Sequence, residues 1–451
     1  MEIDIKSAIK EVAHLLEVWL PLRLQYDKVL GVSIAIIYKG EVLYKKGFGY
    51  ADLEKKIEVS ENTLYHIGSV SKMFTSVAVF QLVEEEKIKL TDSVSKYLPW
   101  FKGENENGKL EDITINELLS HTSGIWSEGT TPHWFTGEFP TTLQLLLDEA
   151  LVFKPSSQFK YSNYGFAVLG ELIAAVSGLS YEEYIQANIL DRLDMVSTFT
   201  DYKKDIGGLA NGLGREIPGQ EREKYGHYSA NAYAPATGFI SNAIDLARYI
   251  ATFPFKAPEI LLKNESKQSM VTEPDFYTRS TDKYCLGIEM YDVSSKKVYG
   301  HGGGFKGFVS KVAIDYGNEL GVVVLANTSK APVWAYAQSI FQAIYSLTEN
   351  NSDYTSENKV DGIKYEGIYR NSGEDKVVVK IKDTLVSFDM NTSSPLFGSN
   401  KTILQSIDES KFLLKGGSGF SSRGEIATFS DIKDGIPQKV TFGATPLIRV
   451  E

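Results

Sequence analysis

The sequence predicts an α+β fold followed by a separate all-β domain, and three observations carry that prediction. Strand-like apolar runs stand at both ends of a mostly helical stretch, near 30–50 and again at 283–327. A helix too apolar to lie on a surface begins near residue 68. After a polar, aperiodic tract at 348–362, the chain changes to short β runs separated by Gly, Asn, Asp and Ser. Strand at both ends and helix between them imply one antiparallel sheet built from the two ends of residues 1–350. Helices flank that sheet, and a helical subdomain is inserted. Residues 351–362 then read as a linker and 363–451 as a small barrel or sandwich.

In chain order, residues 3–28 form a long helix with Ile5, Ile9, Val12, Leu15, Leu16 and Trp19 on its inner side. Residues 30–38 read as a buried strand, Lys39-Gly40 as a turn and 41–50 as its hairpin partner. The apolar helix follows, then an exposed loop at 102–108 and a short helix at 113–120 ending in Ser-His-Thr-Ser-Gly. Residues 125–140 hold Trp126, His133, Trp134, Phe135 and Phe139 among Gly, Thr and Pro, the texture of a segment that walls a cleft. Helices are predicted at 165–177, 181–193, 242–253 and 333–347, and strands at 283–292, 296–300, 307–315 and 319–327. In the last ninety or so residues, β runs stand at 376–382, 385–389, 411–414, 426–430 and 439–442, with an opening strand at 365–369.

Composition excludes several function classes. The 43% apolar and 12% aromatic fractions belong to a packed globular chain. A net charge of −11 argues against nucleic acid or an anionic membrane as partner. No run approaches the ~20 apolar residues of a membrane span. A single cysteine, Cys285, leaves no internal disulfide framework. The first residues start an amphipathic helix without the apolar centre of a signal peptide, which points to the cytoplasm if this is the natural start. A chain trimmed of a leader would read the same. The six histidines are scattered without metal-ligand spacing, so neither metal nor cofactor is expected. His66 and His121 are read as structural.

The apolar helix carries the first chemical signal. It opens Gly68-Ser69-Val70-Ser71-Lys72. Ser69 falls in the first turn, where unpaired N–H groups and the dipole favour developing negative charge. Lys72, three residues on, shares its face and can reach back to the hydroxyl. Burial makes a lysine easier to deprotonate, and a neutral amine can activate a serine without histidine. Ser-x-x-Lys begins at eight places in the chain, so the spacing alone says little. Only at Ser69 does the helix look too apolar to be solvated. The plainer alternative is a capping serine with a snorkelling lysine.

Two further stretches bear on chemistry. Tyr161-Ser-Asn163 precedes a helix, which displays the tyrosine on a turn where its hydroxyl could relay a proton. Gly302, Gly304 and Gly307 match a dinucleotide-binding spacing, but a strand follows instead of the helix that would hold a pyrophosphate. Glycines on an edge strand instead let a substrate backbone approach.

Ser69-x-x-Lys72, Tyr161-x-Asn163 and His301-x-Gly303, in that order, together resemble the serine β-lactamase and penicillin-binding-protein superfamily. The similarity is to the class C β-lactamase-like branch, with its D-aminopeptidase, D-alanyl-D-alanine carboxypeptidase and esterase relatives. It spans roughly residues 5–347, and Leu118-Leu-Ser-His-Thr-Ser-Gly124 adds to it. The resemblance implies a serine hydrolase acting through an acyl-enzyme on small peptides, D-residue-containing ones first, with esterase or weak β-lactamase activity as the alternative. A non-catalytic ligand-binding or scaffold protein on the same fold is the reading from another class. By the same resemblance, Ser69 is the nucleophile and Lys72 and Tyr161 handle its proton. His301 is counted with these three among the catalytic residues, Asn163 binds the substrate amide, the strand bearing His301 and Gly303 pairs with substrate, and the N–H groups of Ser69 and Gly304 form the oxyanion hole. Where true β-lactamases of this branch carry Lys-Thr-Gly, this chain has His301-Gly302-Gly303, which weakens the case for a ligand carboxylate. Lys306 or Lys311 could supply charge instead. The C-terminal β domain resembles the lipocalin-like barrels of some family members and could serve a homo-oligomer.

Overall fold

The structure is a computed structural model that describes residues 4–128, 137–143, 151–272, 283–349, 354, 362–396, 398–416 and 423–450. By its internal contacts the chain divides into two compact units, Val29–Val333 and Met1–Lys28 together with Trp334–Glu451.

The first unit is built on an eight-stranded antiparallel sheet. Its strands are β1 (Gly31–Tyr38), β2 (Glu41–Asp52), β3 (Ile57–Glu58), β4 (Lys283–Tyr284), β5 (Glu289–Val293), β6 (Lys296–Phe305), β7 (Phe308–Asp315) and β8 (Leu320–Ala326). Their order is β4-β5-β6-β7-β8-β1-β2-β3, so the late strand β8 lies beside the early strand β1, with Val32 opposite Ala326 and Ile36 opposite Val322. That is the join of the two ends predicted from the sequence. Both strands are buried along nearly their whole length, as their unbroken apolar runs require. A helix, Ala243–Ile250, covers this centre, and Ile250 fits over the bare backbone of Gly321.

The central helix, Ser71–Glu84, is preceded by a single 3-10 turn, Gly68–Val70. Every residue from Ser71 to Leu82 is buried. Phe74 stacks on Tyr249 with ring centroids 3.9 Å apart and tilts against Phe239. Truncating such a side chain costs about 3–5 kcal/mol. The helix is therefore fixed by packing on all sides, and its polar first turn is held rigidly where it lies.

β6 runs five residues further than the strand expected at 296–300. Glycine is a poor strand former, so periodicity ends at Gly300. Pairing with β7 carries the strand on to Phe305. β5 pairs with β6 only as far as Gly300, so β6 is interior up to that point and lacks a β5 partner beyond it. The helix predicted at 181–193 holds only over Tyr181–Ile185 and then loosens into a π turn, Gln186–Leu190, and a 3-10 turn.

In the second unit eight strands close into a barrel, the last returning to the first where Tyr369 faces Arg449. Its interior is filled by Tyr365, Tyr369, Phe412, Phe429 and Phe442. The N-terminal helix, Ile5–Asp27, and the helix Val333–Glu349 fall largely with this barrel and not with the sheet unit, unlike the division at 350 expected from sequence. Hydrogen bonds that periodicity cannot reveal tie them in. Trp19 donates to the carbonyl of Thr392 (3.1 Å), Lys382 N–H to Glu11 (2.8 Å) and Ser339 to the carbonyl of Ser393. Of the expected linker 351–362, only Tyr354 and Gly362 lie within the described residues; Tyr354 is buried, its hydroxyl 3.0 Å from that of Ser346.

Candidate active site

Ser69 stands in the 3-10 turn that leads into the central helix, half-buried. Two glycines place it. Gly68 has φ +51°, and a side chain there would lie 2.6–2.8 Å from the backbone of Gly304. A side chain on Gly303 would lie 1.9 Å from the carbonyl oxygen of Ile67. The turn before the helix therefore rests directly on β6, backbone to backbone, which only glycine on each side allows. Ser310 Oγ donates to the same Ile67 carbonyl (2.7 Å) and Ser71 Oγ to the Gly68 carbonyl (2.6 Å), fixing the turn from both sides.

Lys72 is fully buried. Its Nζ lies 3.1 Å from Ser69 Oγ, 2.5 Å from Asn163 Oδ1 and 2.8 Å from the carbonyl of Ala236. Three neutral acceptors surround it. Burial pulls its ammonium down to about 7, against the smaller opposing pull of the Glu128 and Glu289 carboxylates. Tyr161 hydrogen-bonds Ser69, and its ring centroid lies 4.7 Å from Lys72 Nζ. Burial pushes the Tyr161 phenol well above its ordinary value, so it stays protonated near neutrality. The structure thus brings Ser69, Lys72, Tyr161 and Asn163 together.

Tyr161 is positioned by Ser162, which caps the helix Asn163–Ser177 through Gly165 N–H (2.9 Å), and by His121. The His121 Nδ1 accepts from Ser162 N–H (3.1 Å), and its ring lies 4.2 Å from that of Tyr161. This is the structural role read for His121, and it includes holding the phenol. Asn163 has both ends of its amide engaged, Oδ1 by Lys72 and Nδ2 by Glu128.

His301 is buried beside this group, its ring centroid 6.3 Å from that of Tyr161. Its Nδ1 meets the Gly302 carbonyl at 2.6 Å and its Nε2 the Tyr284 hydroxyl at 3.0 Å. A carbonyl only accepts, so Nδ1 bears the proton and Nε2 accepts from the tyrosine. Burial holds the imidazole down to about 4 and therefore neutral. Both ring nitrogens are committed away from Ser69. Gly303 is packed against Ile67, and Gly304 is exposed, with open space where a side chain would be.

Sequence reasoning missed Glu128, Ala236, Tyr284 and Glu289. Glu128 lies in the segment expected to wall a cleft. In that segment Trp126 is half-buried and Phe139 buried, while His133, Trp134 and Phe135 lie outside the described residues. Ala236 contributes only a carbonyl, which no side-chain motif can signal. Lys306 has its Nζ 5.8 Å from the ring of Tyr225, and Lys311 is buried against Glu289. Among the described residues no group of three or more His, Cys, Asp or Glu could hold a metal ion, and no single helix is long and apolar enough to cross a membrane.

Known proteins are similar to this chain. Protein flp of Staphylococcus aureus (strain COL) is 28% identical over 344 residues, 74% of this chain and 66% of that protein, so the match spans just under two thirds of the relative. The teichoic acid D-alanine hydrolase of Staphylococcus aureus is 32% identical over 166 residues, 37% of this chain and 40% of that protein. The octameric penicillin-binding protein homologue from Pyrococcus abyssi superimposes with a TM-score of 0.65 at 25% identity, covering 98% of this chain and 99% of that one. The beta-lactamase family model matches residues 22–340, well over half of the sequence, and the chain belongs to the beta-lactamase family.

Proposed function

We propose that this chain is a serine hydrolase that works by acyl transfer through Ser69 on small D-aminoacyl amides, peptides and esters. The observation that carries the reading is the buried Lys72 amine, 3.1 Å from Ser69 Oγ and brought down to about 7. Near neutral pH a large share of these amines is unprotonated and can take the serine proton as the oxygen attacks the carbonyl carbon. The phenol of Tyr161, which stays protonated, passes a proton to the departing amine or alcohol and takes back the serine proton held by the Lys72 ammonium. The N–H groups of Ser69 and Gly304 hold the oxyanion, an interaction whose loss elsewhere costs about 3 kcal/mol of barrier. In the second half-reaction a water repeats the sequence in place of Ser69.

The D-aminoacyl part of the reading rests on the similarity to a protein named as a D-alanine hydrolase and on the neutral His301. A neutral imidazole with both nitrogens occupied offers no cation to a ligand carboxylate, which favours acyl donors lacking one. The test is intact mass after incubation with a fluorophosphonate, alongside turnover of D- and L-alanine 4-nitroanilides and 4-nitrophenyl esters. A single adduct lost in Ser69→Ala, with the D-series faster, is expected. No adduct at any pH supports a ligand-binding or scaffold protein instead, and a faster L-series removes the stereochemical part.

A further inference from the structure

Lys311 of β7 stands opposite Gly302, and Glu289 of β5 stands opposite Gly300. With no side chain on either glycine, Lys311 reaches across the strand to Glu289, Nζ to Oε2 3.0 Å. The same Glu289 oxygen accepts from the Gly302 N–H at 3.0 Å and from the Tyr291 hydroxyl, which Lys311 also contacts. The lysine side chain is 5% exposed and the glutamate 28%. Lys311 Nζ lies 3.9 Å from the point where a Gly302 side chain would begin. The ammonium therefore sits beside the position at which the β-lactamase pattern carries a hydroxyl suited to a ligand carboxylate. A lysine there would itself receive such a carboxylate, were its charge not already matched.

We propose that Glu289 is a specificity-determining residue: by clasping Lys311 over Gly302 it withholds that buried ammonium from a carboxylate on the substrate's leaving group. The inference rests on the acyl-transfer reading above and adds the leaving-group class to it. Substrates have an uncharged or cationic leaving side, such as an amide, an alcohol ester or a polyol ester. Replacing the carboxylate by an amide of the same shape frees one unit of positive charge where a leaving-side carboxylate would lie. A charge-assisted hydrogen bond gained there corresponds to about a tenfold gain in relative use.

The test compares kcat/KM for D-alanyl thioglycolate, whose leaving group carries a carboxylate, with that for its methyl ester. Release of the thiol is followed in the parent, Glu289→Gln, and the double variant Glu289→Gln with Lys311→Met. Fluorophosphonate labelling of Ser69 reports separately on whether each protein retains a working nucleophile. The acid-to-ester ratio is expected to be low in the parent, to rise about tenfold in Glu289→Gln, and to return to the parent value in the double variant. An unchanged ratio in a Glu289→Gln protein that still labels would overturn the proposal. If the single variant does not fold, the double variant decides, since neutral side chains of similar size can replace a buried pair. A ratio there well below the parent's would mean that Lys311 already receives the carboxylate, which also overturns it. Failure of every protein to label Ser69 would instead count against the acyl-transfer reading.

Discussion

Two of the buried lysines described in the sheet unit, Lys72 and Lys311, each lie beside a tyrosine, and they are set up for opposite tasks. Lys72 is surrounded by neutral acceptors: a serine, an amide oxygen and a backbone carbonyl. Nothing in direct contact compensates for burial, and its ammonium falls to about 7. Lys311 is buried almost as deeply but is paired with the Glu289 carboxylate. Burial alone would raise that carboxyl, yet Lys311 and His301 outweigh it and hold it down to about 2. The difference teaches that burial does not by itself make a lysine a base. The charge of its partner decides, because desolvation and an opposing charge act in opposite directions on the same proton.

The comparison is broken most severely at Lys72. Lys72→Met removes the amine while keeping the length of the side chain, and acylation is expected to fall by about three orders of magnitude, as loss of a general base does elsewhere. The same variant reads the cost of burying the amine. Lys72 binds a proton less readily folded than unfolded, so below about pH 7 the folded state carries the full cost of a buried ammonium. That cost is relieved as pH rises towards the unfolded value. The difference in unfolding free energy between parent and Lys72→Met should therefore move in the parent's favour from pH 7 to 10, measured by urea melts at each pH. A difference that is flat across this range would place a charged lysine in the site.

The smallest effect is expected at His301, which the sequence pattern placed among the catalytic groups. Both of its nitrogens are bonded away from Ser69. His301→Gln should change kcat/KM by less than about fivefold, because no proton transfer passes through the ring. A loss as large as that of Lys72→Met would put the imidazole back into the proton path.

Much of this was legible in the sequence, and the reasons for the remainder are specific. The central helix declared itself because it is apolar on every side, and the joined ends of the sheet because both strands are unbroken apolar runs. The pairing of Ser69 with Lys72 was legible from their spacing at the start of that apolar helix. What sets the state of Lys72 did not, since Asn163 and the Ala236 carbonyl come from 91 and 164 residues away. The extension of β6 through its glycines is imposed by β7 and by the turn at Ile67, against glycine's own preference. In the barrel, strands Lys401–Ser406 and Thr445–Arg449 escaped notice for local reasons. The first is mostly polar, and the second contains Pro446, which ordinarily demotes a strand. The clasp over Gly302 needs residues from three strands in register, and no pattern along one strand contains it.

The central claim is that a buried amine, brought down to about 7, activates Ser69. The most direct measurement is the rate of Ser69 acylation by a fluorophosphonate as a function of pH, read by intact mass. The base must be unprotonated to act, so the rate should fall about tenfold per pH unit on the acid side, with a midpoint near 7, and level off above it. A midpoint near the ordinary lysine value, or a rate independent of pH between 5.5 and 9, would contradict the account.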